Sequence, residues 1–229
     1  MSREDFQIML KNNPFSFVND LVHDHILQDI ITIRLVPGEK ISLIQIANQL
    51  GVSRSPVRIA IDRLLSEKLI LRNDNKDLCI APLDREDYFS IYEARKAIEG
   101  SASYYAAKKI SDSEVNELKA IVKKMRDIES TNIDDYIDEI TPLDLQFHYN
   151  ILKASHNPYF LEMYDNIQIK IERYRYYQMY RYRNKIVTKD FIIMNTREHY
   201  AILRAVMSGM SLIAKSEMES HIESMRNDF

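Results

Sequence analysis

The sequence predicts a mostly α-helical chain in two parts, an N-terminal winged helix-turn-helix followed by a C-terminal all-α helical bundle. Three observations carry that expectation. The 229 residues include only four glycines and no tryptophan, with 45% hydrophobic and 28% charged residues, a balance that favours helices in a globular chain. Residues Ser42 to Ile70, SLIQIANQLGVSRSPVRIAIDRLLSEKLI, read as two short helices meeting at a tight turn, the second carrying arginines. From Asp84 onward, apolar residues recur at helical spacing between short breaks, and no alternating strand pattern competes.

Residues 1–14 are polar, and Asn12, Asn13 and Pro14 should end any local order, so they read as a mobile N-terminal arm without assigned function. Residues 15–83 form the expected winged unit. Phe17 to Thr32 places Val18, Leu21, Val22, Ile26 and Ile30 at helical spacing, and the Pro37-Gly38 turn follows. Leu43, Ile46, Ala47 and Leu50 make the apolar stripe of the next helix, which Gly51 closes because glycine tolerates a left-handed backbone. Ser53 is a good N-cap for a second helix with Pro56 in its first turn. There Val57, Ile61, Leu64 and Leu65 share a buried face, and Ser53, Arg54, Ser55 and Arg58 lie at the exposed start. Arginine can bond guanine O6 and N7 or clamp a phosphate, and serine can bond phosphates or base edges, so this end suits a major groove. An ordinary helical hairpin with a solvated charged end fits the same spacing. Leu78 to Pro82 is the candidate returning strand of a wing, and the boundary falls near Leu83.

Residues 84–229 form the expected helical domain. Asp84 opens a long helical pattern whose inward face carries Tyr88, Ile91, Tyr92, Ala94, Ile98 and Ala102. Breaks at Ser111 to Ser113, Thr131-Asn132, Thr141-Pro142, His156 to Pro158 and Ser208-Gly209 divide this half into six or seven helices. Asp144 and His148 are four apart, one turn on the same helical face. His199 lies eleven residues before Met210 and His221 eleven after it, so in an antiparallel hairpin both reach the same height. Three imidazoles and a carboxylate suit one divalent cation such as zinc, nickel or manganese. Separate core or surface roles for these residues are the plain alternative, and they fit a chain with six histidines. His23, His25 and His156 read as surface or capping residues.

The residues also carry a family resemblance. LGVSRSPVRIAIDRL resembles the LGVSRTPVREAL core of GntR family bacterial regulators, and LVPGEKIS is similar to their connector, over Leu21 to about Pro82. The resemblance implies DNA contacts at Ser53, Arg54, Ser55 and Arg58. Ile59 stands where the family usually has glutamate, and the wing LRNDNKDLCIAPL lacks its usual glycine, leaving Lys76, Asn73 or Asn75 to touch phosphates from the tip. From Asp84 onward, IYEARKAIEGSASYYAA is similar to the first helix of the FCD effector domain found in the FadR subfamily. The order Asp144, His148, His199, His221 resembles that domain's metal site. The resemblance implies a metal that helps hold a carboxylate effector, with Arg95 near it; a pairing of Arg95 with Glu99 on its own helix is the alternative.

Composition narrows the function further. Cys79 is the only cysteine, no signal peptide is evident, and no apolar run approaches the roughly 20 residues of a membrane span, so a cytoplasmic protein is expected. The formal net charge is −3, and Asp20 to Pro82 holds eight Lys and Arg against eight Asp and Glu. Positive charge is therefore local, on Arg54, Arg58 and Arg63, and a homodimer would present two such patches to one duplex. ERYRYYQMYRYRNK, Glu172 to Lys185, interleaves arginine and tyrosine like a nucleic-acid stacking surface, but a bundle interface built on Tyr176, Met179, Tyr180 and Arg183 explains it better. Its tyrosine hydroxyls could also line an effector pocket. The function expected is a DNA-binding transcriptional regulator, a repressor, binding operator DNA as a homodimer under control of a small organic acid. A regulator that senses the metal itself is the alternative, and a His/Asp metalloenzyme a weaker one, since no catalytic base is placed over the metal.

Overall fold

The computed structural model describes residues 3–13, 15–128, 133–183 and 189–226. Contacts divide the chain into two compact units, Met1–Leu83 and Asp84–Phe229.

The first unit runs α1 (Arg3–Asn12), α2 (Val18–Ile31), β1 (Lys40–Ile41), α3 (Leu43–Leu50), α4 (Arg54–Ser66), β2 (Ile70–Arg72) and β3 (Leu78–Ile80). The antiparallel sheet has the order β1-β3-β2, with Lys40 opposite Cys79 and Ile70 opposite Ile80. Val22, Ile26, Ile30, Leu50, Val57, Ile61, Leu64, Ile70 and Ile80 form its core. The Ser42 hydroxyl caps α3 by accepting from the Gln45 amide. Gly51 closes α3 at φ 69°, where any side chain would be strained. Ser53 opens α4 without a side-chain capping bond.

Residues 1–14 do not behave as an irregular arm where the structure describes them. α1 carries an apolar stripe of Phe6, Met9 and Leu10 at helical spacing; Phe6 is completely buried, and the other two pack on the core. Glu4 and Asp5 in its first turn and Lys11 in its last complement the helix dipole. Pro14, part of the expected break, lies outside the described residues. His23 and His25 are buried, against the surface role expected: His23 Nε2 sits 3.0 Å from Glu67, and the His25 ring lies 5.7 Å from that of Phe6. At the wing tip Lys76 takes φ 64°, a conformation glycine usually fills, and its amide donates to the Asn73 carbonyl at 2.8 Å.

The second unit is a bundle of α5 (Arg85–Lys109), α6 (Asp112–Asp127), α7 (Ile133–Ala154), α8 (Pro158–Asp165), α9 (Gln168–Arg183), α10 (Lys189–Met207) and α11 (Ser211–Arg226). Asp84 caps α5, Ser111 and Glu114 form a capping box on α6, and Asn157 caps α8 ahead of Pro158. The expected break at Thr141-Pro142 is absent, and α7 runs through it. Pro142 faces solvent, and buried Tyr136, Ile140, Phe147 and Ile151 hold the helix on the other side, offsetting the lost hydrogen bond. The turn at Asn166-Ile167 between α8 and α9 carries no glycine or proline to announce it. The Thr131-Asn132 break and the side chains of Asp134, Asp135 and Arg183 lie outside the described residues. α5 packs closely on α11 at Gly100, where an added Cβ would stand 2.8 Å from Glu219 Cγ. No described helix is long and apolar enough to cross a membrane.

Candidate metal centre and DNA-reading surface

Asp144 and His148 project from the middle of α7, His199 from α10 and His221 from α11, and all four are at most 2% exposed. Each offers a ligand atom, and these atoms lie within 4.8 Å of one another. His148 Nε2 stands 3.2 Å from His221 Nε2, and His199 Nε2 stands 3.3 Å from Asp144 Oδ1. Two donors about 2.0–2.1 Å from one first-row ion at a tetrahedral angle are about 3.4 Å apart, so the spacing fits a shared cation.

The ring orientations fit as well. His199 Nδ1 donates to the Asn195 carbonyl at 2.8 Å, and His221 Nδ1 donates to Glu198 Oε2 at 2.7 Å. His148 Nδ1 lies 2.5 Å from Glu99 Oε2. With protons placed at Nδ1 of His199 and His221 by these acceptors, the three Nε2 atoms converge beside Asp144, and among the described residues His199 Nε2 meets no donor, only Asp144 Oδ1 at 3.3 Å. Lone pairs facing each other in a buried space repel, and a cation removes that cost. Acceptors behind each imidazole are the usual support of metal-ligating histidines.

Charges around the cluster are paired. Arg175 on α9 donates to both Asp144 oxygens, Nε to Oδ2 at 3.0 Å and Nη2 to Oδ1 at 2.5 Å. Arg95 Nε donates to Glu99 Oε1 at 2.7 Å. Burial favours a neutral Asp144 carboxyl, but Arg175, His199 and His148 outweigh it and hold the group well below the usual carboxylate range. Burial likewise disfavours the charge on Glu99, yet Arg95 and His148 bring its carboxyl down to about 2. Desolvation lowers the His148 imidazole despite Glu99, and desolvation with the neighbouring histidines lowers His221 well below its ordinary value. Glu198 is raised, chiefly by burial.

The structure thus brings together all four residues singled out as metal ligands, and it pairs Arg95 with Glu99, the second of the two readings. Spacing did not point to Arg175, Glu198 or Asn195. Arg175 lies in the arginine-tyrosine segment, whose described buried residues are Arg173, Tyr174, Arg175, Gln178 and Met179; of the expected stripe, Met179 is buried and Tyr180 is exposed. The Asn195 side chain is 1% exposed, and among the described residues neither its nitrogen nor its oxygen has a hydrogen-bond partner.

On the first unit, Ser53, Arg54, Ser55 and Arg58 are exposed along the first turns of α4, and Lys76 is exposed at the wing tip. Arg63 is tied instead, 3.4 Å from Asp20 and 3.3 Å from Glu67, so it adds little to the positive patch.

Residues 19–77 match the profile of the gntR family of bacterial regulatory proteins, and residues 90–224, more than half of the chain, match the FCD domain. Over 82% of this chain and 74% of the relative, the sequence is 30% identical to an L-lactate dehydrogenase operon regulatory protein of Escherichia coli (strain K12). The chain belongs to the GntR family and carries an FCD domain. It is 32% identical to the Nta operon transcriptional regulator of Aminobacter aminovorans, in a match spanning 59% of this chain and 62% of that protein. Among solved structures, E. coli McbR/YncC superposes with a TM-score of 0.73 at 16% identity, covering 92% of this chain and 96% of that one. A GntR regulator from Rhodococcus sp. RHA1 gives 0.69 at 17% identity, covering 91% and 95%. These two likenesses concern the fold. This GntR protein is a DNA-binding transcriptional regulator, and the family matches are to regulators, not enzymes.

Proposed function

We propose that this regulator is a repressor whose FCD domain binds a divalent metal through Asp144, His148, His199 and His221 and, beside it, a small organic acid that releases operator DNA. The convergence of three Nε2 atoms and one carboxylate, with an acceptor behind each imidazole, carries the metal reading. Zinc, nickel and manganese all accept such a donor set.

The acid follows from charge. Arg95 and Arg175 are balanced by Glu99 and Asp144, so a divalent ion leaves the buried cluster with excess positive charge. A carboxylate is the anion that meets a cation, guanidinium groups and the unpaired Asn195 amide together. The bound metal would supply a Lewis-acidic point charge for a carboxylate oxygen. Arg95 contributes electrostatically from its pair with Glu99. On the first unit, Arg54 and Arg58 reach bases or phosphates of the operator, Ser53 and Ser55 bond the backbone, and Lys76 meets a phosphate from the wing. A homodimer places two α4 helices on one palindrome.

The test is calorimetry of zinc on chelator-treated protein, then of citrate and L-lactate on the zinc form, followed by duplex binding at the protein's own promoter. Zinc-dependent acid binding that lowers operator affinity supports the proposal, and acid binding of equal strength without metal overturns it. Because metal alone changes the charge of a balanced cluster, direct metal sensing is the second reading; zinc that shifts operator affinity without any acid would select it.

A further inference from the structure

α1 sits against the turn that aims α4. Phe6 anchors it in the core, and Gln7 Nε2 donates to the carbonyls of Leu50 at 2.9 Å and Gly51 at 3.3 Å, closing acceptors that the end of α3 leaves open. The Arg3 side chain lies directly over Gly51: a Cβ added there would stand 2.4 Å from Arg3 Nε and 3.0 Å from its Cζ. α1 also flanks the start of α4, and a cleft of about 570 Å³ lined by Gln7, Leu10, Ser53, Ser55 and Ile59 runs between them.

We propose that α1 is part of the DNA-contacting surface, with Arg3 meeting a backbone phosphate at the edge of the groove that α4 enters and Gln7 holding the turn that aims α4. A helix with its side chains is about 10–12 Å across and the major groove about 12 Å wide, so α4 fills the groove and an element beside its start faces the bordering phosphates. Arg3 is exposed and lies over Gly51, two residues before the N-cap Ser53 of α4.

The test uses the full-length chain and anisotropy of a labelled mixed-sequence duplex across a salt series. Arg3→Gln should reduce the slope of log K against log salt by about 0.9 per protomer bound, the signature of one lost phosphate contact. Lys11→Gln, which removes the same charge from the far end of the same helix, should leave the slope unchanged. Gln7→Met should weaken binding at every salt concentration with an unaltered slope. An Arg3→Gln slope equal to wild type, or an equal fall in Lys11→Gln, overturns the phosphate contact, and wild-type affinity in Gln7→Met overturns the positioning role. Circular dichroism of each variant keeps a folding defect distinct from a lost contact.

Discussion

At the scale of single residues, the Asp144–Arg175 pair makes the sharpest prediction. Removing one partner of a buried ion pair leaves an uncompensated charge, a change that typically costs about 3–5 kcal/mol. Arg175→Met should therefore lower the urea midpoint of the metal-free protein strongly. A divalent ion at Asp144 would restore the missing counter-charge, so saturating zinc should recover much of the loss. A midpoint that stays equally low with zinc would show that the ion does not reach Asp144. The supporting layer gives a second outcome: Glu198→Gln, which alters the acceptor at His221 Nδ1, should weaken zinc about 10- to 100-fold by competition titration. Asp144 and His148 were legible because four-residue spacing on one helix fixes a shared face, and His199 and His221 because a hairpin about Met210 sets their heights equal. Arg175 was not, because an arginine among many in a segment ordinarily marks a solvated face, and nothing in its spacing sets it against Asp144 on another helix.

At the scale of elements, α1 shows how a short helix escapes a sequence reading. Ten residues are too few to hold a helix in water, and only docking of the Phe6 stripe stabilises it. α7 shows the reverse, since a proline that stops an exposed helix is tolerated when buried residues from Tyr136 to Ala154 hold the other side. The contact between α1 and α2 is also the place where acid should act. Desolvation lowers the His25 imidazole below its ordinary 6.5, with Asp29 opposing and Arg34 adding to it. The unfolded chain therefore takes up a proton at a higher pH than the folded one. The stability of this contact is fully present above pH 6.5 and is lost as pH falls towards the folded value. Amide exchange along α1 should accelerate relative to α4 between pH 7 and 5.5, and His25→Gln should flatten that difference. Identical acceleration in the variant would remove His25 as the cause.

At the scale of the whole molecule, all four metal ligands, Arg95, Arg175 and the acceptors behind the imidazoles lie in the second unit, and all the exposed α4 residues lie in the first. Each unit has its own core, so each should unfold as its own transition. A ligand that binds only the folded state stabilises it by RT ln(1 + [L]/Kd), about 2.7 kcal/mol at a hundredfold excess over Kd. If the metal is held wholly within the helical unit, that increment should appear in one calorimetric transition and leave the other in place. A fragment of residues 84–229 should show the same zinc affinity as the full chain. The FCD match over residues 90–224 ends inside α11, three residues past His221, so the fragment retains the complete ligand set. A zinc shift of equal size in both transitions would mean that the winged unit is energetically coupled to the ion even without DNA. In that case metal occupancy alone would bias the operator-binding state, because coupling between two sites acts equally in both directions.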